Sequence, residues 1–422
     1  MGTLARRFCL ALILAIAAVP LDSAAQPALA PGDAVGGPSQ VDTILFYGQS
    51  NAGAGGTGPA LLLAPAFPGR LLTFATASQV YSTRLVGSDA LRGTAPLHDH
   101  PRYAPFPATA MGHALAAGWP ERRFFLHTTW VGGEPLSTFL PGTLAWQNLH
   151  NSAVAQKVAM AGEGRQSRIG AVVLIQGESG PLGQVPYAQM LRGLAQSLPV
   201  SLQAAASQAH KPVLLIPQVI MPDAAGIIPS GVELAQWSVA QAMPDEVALV
   251  GPMYPFPLAD AIHQNAEGRM MLGETLALVH EQVVVRQERF VPLHPAAITR
   301  DGRVLSATFN RPKGSGNLRW DEDWIAPSPN YGFTYKDAKT DIAISSIEIV
   351  GPDTVRITLD AEPSASGGAL LYAQGQPRAA GWTSGRGQLV APSGQESHFA
   401  RAGYRVPRQI DHYCIRFEMA VP

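Results

Sequence analysis

Cysteine is nearly absent from this sequence, with two in 422 residues. Cys9 falls inside an N-terminal apolar run, so once that run is removed Cys414 stands alone. An intramolecular disulfide is then excluded, even in a compartment that would permit one, and the fold must stand on its hydrophobic core. Charge is sparse as well. Charged residues make up 14% of the chain and the formal net charge is -1, which implies no strong electrostatic attraction to nucleic acid or to acidic membranes. The hydrophobic share of 46% argues against a disordered chain. No internal repeat and no low-complexity run is found. No apolar run beyond the N-terminus approaches the length of a membrane span, and no histidines pair as His-x-x-x-His in the manner of a metal site.

What is present begins with a leader. Met1 to Ala25 carries Arg6 and Arg7, an apolar run from Phe8 to Val19, and a small-residue stretch ending Ser23-Ala24-Ala25. That is the order of a secretory signal peptide, with cleavage expected after Ala25 or, as a second site, Ala30. An uncleaved anchor is the alternative, but the apolar run is short for a bilayer. Residues 26–40, rich in Pro, Gly and Ala, read as a flexible linker.

From Val41 the chain alternates between apolar strands and longer helical stretches. Strands are predicted at Thr43 to Tyr47, Arg123 to Thr128, Gly170 to Ile175, Pro212 to Gln218 and Val247 to Pro252. Helices are predicted at Pro107 to Ala117, Leu144 to Ala161, Tyr187 to Ala209, Val232 to Met243 and Ala266 to Val285. Such alternation argues for right-handed βαβ crossovers and a mostly parallel sheet in a three-layer α/β/α sandwich over residues 41–288. The stretch from Leu71 to Tyr103 reads as a long loop or hairpin insertion. From residue 289 to 422 the pattern changes to short β-like runs broken by Gly, Pro and Ser, at Val304 to Phe309, Ile342 to Val350, Val355 to Leu359, Ala369 to Ala373 and Tyr413 to Met419. That is the pattern of a C-terminal β-rich, sandwich-like domain.

Four short segments, each at a predicted strand end, carry the residue types of acyl transfer. Gly48-Gln49-Ser50-Asn51 places a serine at the C-terminal edge of a sheet, where α/β folds bind ligands, although serines at such places also cap helices or start turns. Gly132-Gly133 by itself reads as a plain tight turn, or as a place where a backbone N–H approaches a ligand with no Cβ in the way. Gln176-Gly177-Glu178 follows the most apolar strand; an amide side chain there can donate to an oxyanion, and Glu178 reads as a supporting acceptor more than as a proton-transfer group. Asp260-Ala261-Ile262-His263 spaces a carboxylate three residues before a histidine, with Asn265 set to cap the helix that follows. The other histidines have no comparable setting. Gly-x-Ser-x-Gly is missing because Ala52 occupies its last position, which argues against an α/β-hydrolase nucleophile elbow.

Taken together and in this order, the four segments resemble the SGNH hydrolase superfamily, in the branch of sialate O-acetylesterases and plant-type carbohydrate acetylesterases. The resemblance spans about Val41 to Val285. It implies Ser50 as nucleophile, His263 as general base and acid, and Asp260 as its orienter. It also implies an oxyanion hole from the N–H groups of Ser50 and Gly133 with the Gln176 side chain, supported by Gly132, Asn51 and Glu178. The chain departs from the family at Ala52, where methionine is frequent, and at Glu134-Pro135, where threonine commonly follows the second glycine.

The function expected is a secreted or periplasmic serine esterase that removes O-acetyl groups from a carbohydrate through an acyl-enzyme, with no cofactor and no metal. The expected partner is an acetylated saccharide or polysaccharide, not nucleic acid, and not a membrane after signal cleavage. Trp320, Trp324, Tyr331, Tyr335 and Trp382 offer either stacking faces for sugar rings or filling for a small β core. A lipase or thioesterase on the same scaffold is the first alternative; against it, Gln49, Asn51, Gln176 and Glu178 make a polar surround. A non-catalytic glycan-binding protein is the second.

Overall fold

A computed structural model describes residues 40–53, 60–99, 106–180, 183–219, 231–260, 262–338, 340–364, 367–374 and 387–422. The expected signal peptide, Cys9, most of the linker, His100 and Trp382 lie outside the described residues. The main sheet is built from β1 (Gln40–Gly48), β2 (Leu71–Phe74), β3 (Gln79–Tyr81), β4 (Thr94–Pro96), β5 (Arg123–Trp130), β6 (Gln166–Ile175), β7 (Val213–Gln218) and β8 (Val247–Pro252). Its order is β4-β2-β5-β1-β6-β7-β8, with β3 also paired to β5. All pairings are parallel except β2 with β4.

The five long strands β5-β1-β6-β7-β8 run in the doubly wound order, in which the chain first moves one way from β1 and then crosses back to β6. Strand order therefore reverses around β1, and the crevice at the C-terminal ends of β1 and β6 is the topological switch point. The strands end flush there: Gly48 is in register with Trp130 of β5 on one side and Ile175 of β6 on the other.

Helices cover both faces. α1 (Pro107–Gly118) packs on α5 (Ala266–His280), while α2 (Leu144–Gly162), α3 (Gln184–Ala206) and α4 (Val232–Ala242) lie side by side. Their ends follow local chemistry. Pro107 opens α1 at a position where its missing N–H costs nothing, the Thr143 hydroxyl accepts from the Trp146 N–H at the start of α2, and Asn265 Oδ1 accepts from the Gly268 N–H at the start of α5. The last predicted helix runs as α-helix only to His280, then closes with a π-type turn, Glu281–Val285. No helix among the described residues is long and apolar enough to cross a membrane.

The reading of Leu71 to Tyr103 as a loop or hairpin insertion is corrected by the structure. β2 and β3 join the main sheet in parallel along β5, and β4 closes its edge. Runs of three or four residues carry too little periodicity to register as strands, and it is pairing with the long, buried β5 that fixes them.

The C-terminal stretch is antiparallel β, as expected, arranged as three small sheets. β9 (His294–Asp301), β10 (Val304–Asn310), β13 (Ile344–Val350) and β14 (Thr354–Leu359) form one; β11 (Arg319–Trp320), β16 (Leu389–Glu396) and β17 (Gln409–Tyr413) a second; β12 (Phe333–Lys336), β15 (Gly368–Tyr372) and β18 (Phe417–Val421) the third. The run Tyr413 to Met419, read as one strand, is two: the chain leaves β17 and enters β18 in a different sheet across Cys414-Ile415-Arg416. A short helix, α6 (His398–Arg401), lies between β16 and β17.

Buried residues from the α/β layers and the antiparallel sheets form one continuous core. Polar bonds cross the same boundary. Tyr254 donates its hydroxyl to the Cys414 carbonyl at 2.8 Å, the Trp324 indole N–H reaches the Pro255 carbonyl at 3.0 Å, and Arg416 Nη1 sits 2.8 Å from Glu233 Oε2.

Candidate active site

Ser50 follows β1 by two residues, and the turn that presents it depends on Gly48. At φ +139° Gly48 lies in a region that side chains avoid, and a Cβ there would stand 2.0 Å from the Ile175 carbonyl oxygen. With no side chain, the backbones of β1 and β6 close up: Gln49 N–H donates to that carbonyl at 3.0 Å, and Ala52 N–H returns to the Gln49 carbonyl at 2.8 Å. Ser50 tops this tight turn, 9% exposed.

His263 and Asp260 arrive from the loop between β8 and α5. His263 Nε2 lies 2.9 Å from Ser50 Oγ, and His263 Nδ1 lies 2.7 Å from Asp260 Oδ2. The other Asp260 oxygen, Oδ1, accepts the backbone N–H groups of Ile262 and His263, both at 2.7 Å, so one carboxylate holds the loop and the ring at once. Burial pushes the Asp260 carboxyl up, but the hydrogen bonds from the His263 N–H, the His263 ring and the Ile262 N–H outweigh it, and the group falls below the usual aspartate value. An ionised carboxylate only accepts, so Nδ1 carries the ring proton and Nε2 is left to accept from the serine hydroxyl.

Glu178 stands directly behind the serine turn. Its two oxygens accept the side-chain amides of Gln49 and Asn51, the latter at 2.9 Å, and Asn51 Nδ2 also reaches the Ile262 carbonyl at 3.2 Å. One buried carboxylate therefore locks both neighbours of Ser50, and Asn51 ties the serine turn to the histidine loop. These two amide contacts are those of a support.

Gln176, fully buried at the end of β6, donates Nε2 to the Glu134 carbonyl at 3.1 Å, linking the third segment to the Gly132-Gly133 loop. Tyr187 of α3 reaches Gln176 Oε1 at 2.9 Å and the Gln176 carbonyl at 2.8 Å. That contact fixes which end of the amide is the oxygen, and an amide nitrogen carries a second hydrogen besides the one given to Glu134. Gly133 takes φ +72° and is exposed, and the position of a Cβ on Gly132 lies 3.9 Å from Ser50 Cβ. Among the described residues, no protein acceptor takes up the backbone N–H of Ser50 or of Gly133.

The described residues of the four segments thus meet at the switch point, with the serine, histidine and aspartate in one hydrogen-bonded chain. Sequence reading missed three others. Tyr187 holds Gln176, as above. Arg269, 0% exposed, donates Nη1 to the Gly53 carbonyl and Nε to the Gln264 carbonyl at 3.3 Å, bracing the ends of the serine turn and the histidine loop. A signal existed in the sequence, since Arg269 is a lone charge against Met270-Met271-Leu272. Trp130, the last residue of β5, packs its ring on Gly53, where a Cβ would fall 2.3 Å from the indole. Of the C-terminal aromatics, Trp320 and Tyr331 stack on each other at 4.1 Å, and Tyr335 is buried. Among the described residues no three of His, Cys, Asp and Glu converge as a metal-binding group.

The fold and the site define a doubly wound α/β protein with a serine-histidine-aspartate array at its switch point. No protein-family model matches the sequence, and no curated protein matches it. Solved structures do match. A carbohydrate acetylesterase from Xanthomonas citri is 16% identical with a TM-score of 0.55, over 90% of this chain and 80% of that one. An Arabidopsis thaliana protein is 17% identical (TM-score 0.43, 58% of this chain and 99% of that one), and NanS is 14% identical (TM-score 0.41, 59% and 98%). The first of these likenesses establishes that the fold is shared, C-terminal sheets included, and the fold class read from the sequence is the one found.

Proposed function

We propose that this chain is a serine esterase that removes O-acetyl groups from a carbohydrate through an acyl-enzyme intermediate. The observation that carries the reading is the unbroken chain from Ser50 Oγ through the His263 ring to Asp260 Oδ2, with bonds of 2.9 and 2.7 Å, at the switch point of the sheet. Ser50 Oγ attacks the acetyl carbonyl carbon while His263 Nε2 takes its proton, and Asp260 balances the imidazolium. The oxyanion is received by the N–H groups of Ser50 and Gly133 and by Gln176 Nε2. The tetrahedral intermediate collapses as His263 returns the proton to the departing sugar oxygen, leaving acetyl-Ser50. Water then attacks the acetyl carbon as His263 takes its proton, the bond from that carbon to Ser50 Oγ breaks, His263 returns the proton to Ser50 Oγ, and acetate leaves.

The preference for acetyl on a sugar is supported by the resemblance of the four motifs; Gln49, Asn51, Gln176 and Glu178 are buried and bonded within the protein, so their polarity braces the serine turn. Residues 41–288 are read as the esterase domain and 289–422 as a β-rich domain built onto it, with export directed by residues 1–25.

Turnover of para-nitrophenyl esters from acetyl to octanoyl tests the reaction, and acetate release from a panel of acetylated polysaccharides tests the substrate. A rate that falls steeply with chain length, is lost in Ser50→Ala, and is accompanied by loss of fluorophosphonate labelling is the expected result. The opposite chain-length trend would make the protein a lipase, and labelling that persists in Ser50→Ala would remove Ser50 from the mechanism.

A further inference from the structure

The edge of the sheet that sequence reading took for a loop carries an aromatic pair beside the serine. Trp130 is in register with Gly48 of β1 on one side and with Tyr81 of β3 on the other. Its indole N–H donates to Gln79 Oε1 at 2.7 Å, which fixes the ring, and the ring lies over Gly53 of the serine turn. Its Cζ3 edge is 3.6 Å from where a Cβ on Gly132 would stand, the same point that is 3.9 Å from Ser50 Cβ. Glycine at both positions therefore keeps the way from the indole to the serine open. On the outer side Tyr81 continues the surface, its ring centroid 4.6 Å from that of Trp130 and its plane tilted by 54°.

Tyr81 is 47% exposed and Trp130 only half-buried. The cores of this chain account for most of its other large apolar side chains, so an aromatic surface running outward from a reactive serine calls for a ligand. The chemistry selects one. An acyl chain gains from a continuous apolar trough, but the pair is bordered by the Tyr81 hydroxyl and by the exposed Thr83 and Arg84 that follow it in the chain. A sugar ring presents an apolar C–H face for the aromatic surfaces and equatorial hydroxyls for that polar rim, the combination of apolar body and wet edge that Trp and Tyr serve at binding surfaces.

We infer that Trp130 and Tyr81 form the stacking platform of a saccharide subsite, holding the sugar unit next to the acetylated one when its ester lies at Ser50. The inference deepens the esterase reading and rests on it for the ester, but the platform itself is measurable without turnover.

The test uses the full chain with Tyr81→Ala and, because the indole also supports the serine turn, Trp130→Phe in place of a deletion. Binding is measured by calorimetry in a Ser50→Ala background against xylo-, manno- and chito-oligosaccharides, with and without each substitution. Weaker binding, roughly threefold to tenfold for the loss of one stacking face, is expected. Equal binding by Ser50→Ala and by Ser50→Ala/Tyr81→Ala, or no oligosaccharide bound at all, overturns the platform. In the active enzyme, kcat/KM on an acetylated oligosaccharide should fall in Tyr81→Ala by about that factor more than on vinyl acetate, which has no sugar. A loss equal on both substrates would make Tyr81 a support of the serine turn and overturn the inference. Failure to hydrolyse vinyl acetate in the wild type sinks the esterase reading alone, because the binding arm does not depend on turnover.

Discussion

A single amide shows how much of the site is decided residue by residue. Gln176 is held at three points: Nε2 by the Glu134 carbonyl, Oε1 by Tyr187, and its own carbonyl by Tyr187 and by Gln236 at 3.1 Å. An oxyanion donor that is already oriented costs no reorganisation during the reaction. With Gln176 as the proposed oxyanion donor, Gln176→Ala should lower kcat by roughly 10²-fold to 10³-fold with KM nearly unchanged, because such an interaction is made mainly in the transition state. A mutant with near-normal kcat and a large drop in melting temperature would instead make Gln176 a brace for the Gly132-Gly133 loop.

At the scale of elements, the site depends on strand ends being clamped to one another. Glu178, after β6, accepts two amides from the turn after β1, and all three side chains are buried. Glu178→Gln keeps the size but replaces one acceptor oxygen with a donor, so one of the amides of Gln49 and Asn51 would face another donor. A buried donor without its acceptor costs about 1–3 kcal/mol. The expected outcome is a lower midpoint in urea unfolding, together with a kcat decrease from loosening of Ser50. Unchanged stability with a tenfold or greater loss of kcat would assign Glu178 to proton transfer.

For the whole molecule, a buried ion pair and a buried histidine bear on stability. Arg416, between β17 and β18, has Nη1 2.8 Å from Glu233 of α4, with both side chains 5% exposed or less. The contact is a buried ion pair, and Arg416 Nη2 also donates to Gln374 Oε1 at 3.1 Å. The Arg416 backbone is also clamped by Gln218, which donates to its carbonyl at 3.1 Å and accepts its N–H at 2.7 Å. Arg416→Met strips the countercharge from Glu233 and should destabilise by roughly 3–5 kcal/mol, with much of the loss recovered in Arg416→Met/Glu233→Gln. Equal stability of wild type and single mutant in urea unfolding would show that the pair contributes nothing.

The buried histidine bears on the pH dependence. Burial, with Arg168 and Arg122 acting in the same direction, pushes the His280 ring down to about 3, and its nitrogens find no partner among the described residues. A histidine lowered in the folded state contributes stability that is present above its unfolded value near 6.5 and is lost as pH falls toward its folded value, because only the unfolded chain takes the proton. His127, lowered to about 3, and His113 and His412, each lowered to about 4, act in the same sense. Asp411, which burial raises to about 6, opposes them over part of the range. His280→Leu should flatten the decline of melting temperature between pH 6.5 and 4, by up to about 1.4 kcal/mol per pH unit; an unchanged slope would show that the ring is protonated in the folded protein.

The sequence by itself determined the strand-helix alternation, the parallel sheet and the four segments that meet at the switch point, because long apolar strands and helical spacing are local signals and each segment lies within four residues of chain. It also carried the Asn265 cap, a contact of three residues' reach. Tertiary structure alone decided what depends on distant pairing. β2, β3 and β4 are too short to show a period and exist because β5 is beside them; β17 and β18 part company because two different sheets claim them. Arg269 reaches back 216 positions to Gly53, and Trp130 meets Tyr81 only through the register of β3 on β5. A chain writes its local preferences in order, but which side chains share one crevice follows from strand order, and that is set by the burial of the whole core at once.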